Sequence, residues 1–306
     1  MKCRFSLIVA AAGLLLASAA SAASAARSHP GDDRAASAAD ACKLVGAPAR
    51  DFESRVPFEV VDGRIYVQAR VNGRGPFRFA VDTGASGWGR ADTTLVSALH
   101  LKTGMPTTTS DGMQKAQVAT VHLDSLELGG VSRQSLDVIT RDYDSRMSPD
   151  AAFSGIIGRE FFADGLLIID YPERTLSFSR KLSLSPTGPN VLRYERAFRV
   201  PVSIGKVRTE GNLDTGADVA FVLPKSLFER VSDSPLQQAG AGRLTNSRIQ
   251  TMRSTVHGPF RIGGVSLSDV PVRVSDRYPE LLVGAHALQH FVLMIDQRSR
   301  SIALCN

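Results

Sequence analysis

The sequence predicts an all-β protein made of two copies of one folding unit. From Val56 onward, short runs rich in Val, Ile, Leu and Phe are separated by Gly, Asn, Asp and Pro, which is typical of strands joined by tight turns. Four landmarks of the first half recur in the second half in the same order. The 306 residues are 43% hydrophobic and 22% charged, which suits about two domains with buried cores and excludes fibrous and wholly disordered proteins.

The strand-like runs are short and follow one another closely. The clearest ones cover residues 63–71, 77–81, 118–128, 166–170 and 175–179. Short helices are expected near residues 92–99, 158–162, 224–231 and 285–291.

The N-terminal segment has the pattern of a targeting sequence. Lys2, Arg4, a short apolar run and small-residue cleavage patterns identify residues 1–26 as a secretory signal peptide. A membrane anchor is the alternative, but the apolar run is short for a membrane span. Residues 27–55 are expected to form a mobile leader. We therefore expect an exported protein, periplasmic or secreted, with no membrane insertion after signal removal.

The charge balance gives no sign of a nucleic-acid partner. Signal cleavage lowers the formal net charge from +6 to +4, and no cluster of Lys and Arg interleaves with aromatic residues. Two cysteines remain, Cys42 and the penultimate Cys305. An oxidising compartment permits a disulfide between them, and two free thiols are the equally open alternative.

The internal repeat defines the domain organisation. Val-Asp-Thr-Gly-Ala-Ser at residues 81–86 recurs as Leu-Asp-Thr-Gly-Ala-Asp at residues 213–218, 132 positions later. The other landmarks pair residues 128–132 with 262–266, 155–162 with 281–288, and 169–170 with 295–296. The repeat predicts a first lobe at 56–180, a linker at 181–196 and a second lobe at 197–306.

Each copy places a carboxylate at the end of an apolar strand, which is costly unless hydrogen bonds support it. If the copies face each other, Asp82 and Asp214 converge, share one proton and activate a water molecule for general acid–base chemistry. Thr can supply a supporting hydroxyl, and Gly permits a sharp turn and a backbone donor. The predicted supporting residues are Thr83, Gly84, Thr215 and Gly216.

The two Asp-Thr-Gly-Ala motifs, each followed by an apolar-apolar-Gly motif ending at Gly158 or Gly284, resemble those of pepsin- and retropepsin-type aspartic proteases. The tandem arrangement is similar to that of bacterial exported retropepsin-like proteins. The resemblance spans residues 56–305 and implies an aspartic endopeptidase with two six-stranded β-barrel lobes around a central cleft. It implies a peptide or protein substrate, a monomer of two lobes, no cofactor and no metal.

The resemblance also assigns roles residue by residue. Asp82 and Asp214 match the catalytic aspartates, and Asp218 matches an aspartate that contacts the substrate backbone. Ser86 stands at that position in the first copy. Hairpin flaps are expected at residues 107–120, around the turn Asp111-Gly112, and at residues 237–252, although neither matches the flap sequences of the known branches. Asp111 and Gly112 are therefore expected to contact substrate. The Ala after each Asp-Thr-Gly removes a hydroxyl near the carboxylate, which favours activity toward neutral pH.

Other interpretations of single residues are weaker. His286 and His290 have the i, i+4 spacing of metal ligands on a helix, but no third ligand lies nearby in the sequence. Trp88 is expected to pack in the core of the first lobe, with a substrate-pocket wall as the alternative. A catalytically idle peptide- or protein-binding module of the same fold is the alternative function.

Overall fold

Each half of the chain folds around its own sheet, and a third sheet joins the two halves. The computed structural model describes residues 40–143, 145 and 147–306. The expected signal peptide and residues 27–39 of the expected leader lie outside the described residues. The all-β, two-lobed fold is confirmed.

The first-lobe sheet has eight strands. They are β2 (Glu59–Val61), β3 (Arg64–Val71), β4 (Arg74–Val81), β5 (Gly89–Asp92), β6 (Thr103–Ser110), β7 (Lys115–Leu128), β8 (Val131–Arg141) and β9 (Gly155–Ile157). Their order across the sheet is β2-β3-β4-β9-β5-β8-β7-β6.

The second-lobe sheet has nine strands. They are β13 (Arg199–Ile204), β14 (Val207–Asp214), β15 (Phe221–Pro224), β16 (Gln237–Arg243), β17 (Arg248–Val256), β18 (Phe260–Ile262), β19 (Val265–Leu267), β20 (Val270–Ser275) and β21 (Leu281–Gly284). Their order is β16-β17-β20-β15-β21-β14-β13-β18-β19.

The two sheets share one pairing scheme, which is the structural form of the sequence repeat. β4 pairs with β9 in parallel and β14 pairs with β21 in parallel. In the first lobe, β5 pairs antiparallel with β9 and parallel with β8. In the second lobe, β15 pairs in the same way with β21 and β20. Each catalytic-type motif therefore ends a strand that lies beside an apolar-apolar-Gly strand.

The shared sheet contains β1 (Ser54–Pro57), β10 (Leu166–Asp170), β11 (Thr175–Ser179), β12 (Val191–Arg193), β22 (Val292–Asp296) and β23 (Ser301–Cys305). Its order is β1-β11-β10-β22-β23-β12. β10 of the first copy pairs with β22 of the second, and every residue of both strands is buried. Alternate side chains of such strands enter different cores: Leu167 lies in the large core and Leu166 in a smaller one.

The described helices are short and lie close to the expected positions. They are α1 (Thr93–Leu99), α2 (Lys225–Val231) and α3 (Ala285–Leu288). Asp92 caps α1 by accepting a hydrogen bond from the Thr94 N–H at 2.7 Å. A 3-10 turn at Arg159–Phe162 is the first-lobe counterpart of α3. No helix in the described part of the chain is long and apolar enough to cross a membrane.

Three expectations about the organisation need correction. The described end of the leader is anchored rather than mobile: a 3-10 helix at Ala41–Gly46 packs on the smaller core, and β1 begins at Ser54. The linker at 181–196 contains β12, which pairs with β23. The lobe sheets hold eight and nine strands instead of six, because the flap hairpins extend them while the closing strands pair between lobes.

Cys42 and Cys305 form a disulfide, which resolves the alternative that the sequence left open. The bond links residues separated by 263 positions. It attaches the first described turn to β23, the last strand of the shared sheet.

Because the disulfide closes a long loop, we expect the Cys42→Ser, Cys305→Ser double variant to lose about 3 kcal/mol of unfolding free energy. Urea denaturation of the protein, purified without reductant, measures this loss. Alkylation without prior reduction, followed by mass spectrometry, is the control. Labelling of two thiols in the native-sequence protein would contradict the disulfide.

Candidate active site

The two Asp-Thr-Gly-Ala motifs meet between the lobes. Asp82 follows the buried end of β4, and Asp214 is the last residue of β14. The Asp82 N–H donates to the Ile157 carbonyl of β9 at 3.1 Å, which fixes where the chain leaves the sheet. Both aspartates are half-buried.

The two motifs are held together by reciprocal hydrogen bonds between buried threonines. The Thr83 hydroxyl accepts from the Thr215 N–H at 3.0 Å and donates to the Leu213 carbonyl at 3.2 Å. The Thr215 hydroxyl accepts from the Thr83 N–H at 3.1 Å and donates to the Val81 carbonyl at 2.8 Å. Each hydroxyl therefore satisfies two buried backbone groups of the opposite lobe.

The glycines let the carboxylates approach the opposite chain. A Cβ atom on Gly84 would lie 2.5 Å from Asp214 Oδ2, and one on Gly216 would lie 2.6 Å from Asp82 Oδ2. Any side chain at either position would thus displace the aspartate of the other lobe. The requirement for glycine here is steric.

The carboxylates are supported by backbone donors. The Ala85 N–H donates to Asp82 Oδ1 at 2.9 Å, and the Gly216 N–H donates to Asp214 Oδ1 at 2.9 Å. Burial and then the neighbouring Asp82 carboxylate raise the pKa of Asp214 well above its usual range. The raised pKa favours the protonated form of Asp214.

Gly158 and Gly284 lie behind these loops, as expected. A Cβ atom on Gly158 would lie 3.0 Å from the Ala85 carbonyl oxygen, and one on Gly284 would lie 2.9 Å from that of Ala217. Their N–H groups donate to the Trp88 and Ala220 carbonyls. These glycines support the aspartate loops by close packing.

Asp218 lies in a cluster that crosses between the lobes. Its carboxylate is 2.7 Å from His286 Nε2 and 4.0 Å from Arg64 NH1. Arg64 also donates to the Gly216 carbonyl at 2.7 Å. The carboxylate nevertheless stays 42% exposed, so it remains accessible to a ligand. Ser86, the equivalent first-lobe residue, is exposed.

The two expected flaps are hairpins whose tips contact each other. The first is β6–β7 and the second is β16–β17. The Asn246 side chain of the second tip donates to the Gln114 carbonyl of the first at 3.0 Å. Arg141 donates to the Thr245 carbonyl at 3.0 Å. Met113 of the first tip packs against the same buried apolar cluster as Ala217 and Val219, which follow Asp214 in the chain.

Asp111 connects the tips of the two hairpins. Its Oδ1 accepts from the Met113 and Gln114 N–H groups of its own turn, and its Oδ2 accepts from the Asn246 N–H and the Ser247 hydroxyl, each at 2.8 Å. Its carboxylate therefore joins the two hairpins, and its expected contact with substrate stays a prediction. Gly112 has a φ of 83°, which suits glycine, so it shapes the turn.

Sequence reasoning missed a pair of tyrosines whose pKa values the two aspartates influence. Tyr143 follows β8 and Tyr278 follows β20, 135 positions apart, close to the repeat offset that could have revealed them. Burial raises the pKa of Tyr143, with a smaller contribution from Asp82. Burial, followed by Glu280 and Asp214, raises the pKa of Tyr278. Both phenols therefore stay neutral next to the dyad.

Two further expectations concern single side chains. Trp88 does not pack in the core: it is 38% exposed, and the Arg133 guanidinium lies 5.8 Å from its ring centre. The helix at His286 ends at Leu288, before His290, whose ring contacts Phe291. Within the described residues, no group of three His, Cys, Asp or Glu side chains is placed to hold a metal ion.

A protein-family model described as aspartyl protease matches residues 67–161 and 200–288, more than half of the chain. The two matched segments contain both Asp-Thr-Gly-Ala motifs and both apolar-apolar-Gly motifs. The sequence matches none of the curated proteins.

Thr83→Ala leaves the buried Thr215 N–H and Leu213 carbonyl without partners. We expect a loss of about 2 kcal/mol of unfolding free energy, measured by urea denaturation. Thr83→Ser keeps the hydroxyl and is the matched control, for which a much smaller loss is expected. Equal losses in the two variants would show that the methyl group, not the hydrogen bonds, stabilises the junction.

Asp111→Asn tests the contact between hairpin tips. The amide keeps an acceptor for its own turn but presents an NH₂ group to the Asn246 N–H and Ser247 hydroxyl. We expect amide hydrogen exchange across residues 244–247 to become about tenfold faster. Ser110→Ala, which removes only the bond from the Gly112 N–H, is the control.

The same contact should depend on pH. Burial opposes ionisation of Asp111, but the hydrogen bonds from Gln114, Ser247, Met113 and Asn246 outweigh it and hold the pKa of Asp111 below its usual range. The stabilisation is therefore present above about pH 4 and is lost as the pH falls through the lowered pKa. Amide hydrogen exchange of the hairpin tips is therefore measured against pH in the wild type and in the Asp111→Asn variant. The same pH dependence in both proteins would contradict this role of Asp111.

Proposed function

Because the chain belongs to the aspartyl protease family, we propose that it is an aspartic endopeptidase in which Asp82 and Asp214 together activate water. The observation that carries the proposal is the geometry of the dyad. Two carboxylates from different lobes face each other, and the reciprocal threonine bonds fix their separation. The raised pKa of Asp214 supplies the unequal protonation that acid–base hydrolysis requires.

The roles of the two groups follow from this asymmetry. Asp82, as carboxylate, accepts a proton from a water molecule, whose oxygen attacks the carbonyl carbon of the peptide bond. Asp214, as the acid, donates its proton to the carbonyl oxygen, which gives a tetrahedral diol. When the diol collapses, the proton on Asp82 passes to the leaving nitrogen and a hydroxyl proton returns to Asp214. The dyad is thereby restored, and one water molecule is consumed.

The hairpins determine how a substrate reaches the dyad. Their tips are joined through Asp111 and Asn246, and Met113 packs against residues that follow Asp214. An extended peptide must therefore separate the tips before it binds beneath them. Closure over the peptide would exclude bulk water during the reaction.

We also propose that the protein is exported and acts in the periplasm or outside the cell. The pattern of residues 1–26 supports export. The disulfide between Cys42 and Cys305 gives independent support, because such bonds persist in oxidising compartments.

Asp82→Asn and Asp214→Asn should each lower peptide turnover by at least about a thousandfold, because each removes one partner of the proton transfer. Cleavage of a diverse peptide library by the purified protein, read by mass spectrometry, measures this. Asp124→Asn makes the same chemical change at an exposed site of the first lobe and should retain activity. Turnover by both dyad variants would exclude the mechanism.

The pH profile gives a second readout of the same experiment. Since the pKa of Asp214 is raised, the singly protonated dyad persists above the usual carboxyl range, and activity should fall only when Asp214 ionises. A rate maximum well below pH 4 would contradict this assignment. Binding of peptides without cleavage at any pH would favour the idle binding module instead.

A further inference from the structure

A cavity of about 660 Å³ opens in the second lobe beside the loop that follows Asp214. One wall contains Asp218, Val219 and Ala220, which lie four to six residues after Asp214. A second wall is formed by β17 and β20 and contributes Arg253 and Arg273. A peptide bound at the dyad would therefore have this cavity within reach of side chains a few positions from the cleaved bond.

Two guanidinium groups lie next to each other on that wall. Arg253 and Arg273 are direct cross-strand partners, so their side chains project from the same face of the sheet. Like charges at such positions destabilise a sheet. Among the described residues, neither side chain has a carboxylate within ion-pair distance, so the fold itself leaves this repulsion uncompensated.

Neutral groups orient both arginines without removing their charge. Arg253 donates to Gln237 Oε1 at 3.3 Å, and Arg273 donates to the Ala239 carbonyl at 3.3 Å. Gln237 is in turn the cross-strand partner of Arg253. The two guanidiniums are thus positioned by the second flap strand and keep donors for a further partner.

The remaining charged groups around the cavity do not cancel this charge. Asp218 is the carboxylate on the lining, and His286 and Arg64 already contact it. His257 also lines the cavity and lies 2.8 Å from Asp269. The cavity therefore presents an excess of positive charge to whatever enters it.

We propose that this cavity recognises an acidic side chain of the substrate, so that the enzyme prefers peptides with Asp or Glu at one position to one side of the cleaved bond. The carboxylate binds between the Arg253 and Arg273 guanidiniums, which donate charge-assisted hydrogen bonds to it. This inference rests on the proposed function, since it specifies which peptides the dyad cleaves. The first copy has no equivalent, because Ser86 replaces Asp218 and the residues corresponding to the two arginines differ.

The test compares peptides that differ by one charge. The starting point is a neutral peptide that the wild type cleaves. Each of the four positions on either side of the cleaved bond is replaced in turn by Asp or Glu and, in a matched peptide, by Asn or Gln. We expect one position at which the acidic peptide has a kcat/KM about tenfold above that of its amide twin. The ratio should shrink as the salt concentration rises.

Arginine variants test whether the cavity causes the preference for acidic peptides. In the Arg253→Gln, Arg273→Gln double variant the acidic-to-amide ratio should fall to about one. Arg261→Gln removes an exposed arginine elsewhere in the same lobe and should leave the ratio unchanged. Equal cleavage of all peptide pairs by the wild type, or an undiminished ratio in the double variant, would overturn the inference while the protease assignment stands.

If no peptide is cleaved, the proposed function fails and binding decides the inference separately. Fluorescence anisotropy then measures binding of labelled acidic peptides and their amide twins to the wild type and to the double variant. Tighter binding of an acidic peptide that depends on the two arginines supports the cavity as a carboxylate site. Equal binding of every pair overturns it.

Discussion

The reciprocal hydrogen bonds between Thr83 and Thr215 set the geometry on which the site depends. Each threonine hydroxyl serves a donor and an acceptor of the opposite lobe, so neither loop can move alone without leaving buried polar groups unpaired. The junction brings Gly84 against Asp214 and Gly216 against Asp82. The raised pKa of Asp214 follows from burial and then from this enforced proximity to Asp82. The proximity of the two aspartates is thus a consequence of packing between the lobes.

Three further sets of contacts hold this junction in place. Beneath it, the fully buried strands β10 and β22 pair across the lobes, and the disulfide attaches the described N-terminal turn to the last strand. Beside it, Arg64 crosses from the first lobe to the Gly216 carbonyl. Above it, the hairpin tips meet through a few polar bonds and one small apolar cluster. Opening is therefore expected at the tips, where the fewest buried contacts must be broken.

The two lobes share a pairing scheme but differ in the groups that surround the dyad. Asp218, His286 and the arginines of β17 and β20 give the second lobe a charged cavity, whereas the first lobe places Ser86 and the half-exposed Trp88 near its own aspartate loop. A tandem chain permits this divergence because each copy mutates independently. The proposed preference for an acidic substrate residue is a product of that asymmetry.

Much of the fold and the core of the site could be read from the sequence. The repeated Asp-Thr-Gly-Ala and apolar-apolar-Gly motifs predicted the two lobes, the paired aspartates and the threonines and glycines that support them. Each motif is a local sequence signal, because it covers the end of a strand and the residues that directly follow it. The short helices near residues 92–99 and 224–231 were also predicted, since their turn and cap residues are local signals.

Tertiary structure alone decided which distant residues meet. Arg64 and Gly216 are 152 positions apart, and Asp111 and Asn246 are 135 apart, so no spacing rule connects them. The same holds for the joined hairpins, the anchored N-terminal turn, the exposure of Trp88 and the paired charges of Arg253 and Arg273. The alternation of residues along a strand predicts which side chains are buried. Only the folded chain shows which distant residues those side chains contact. For this protein the sequence determined the paired aspartates, and the packing of one lobe against the other determined their surroundings.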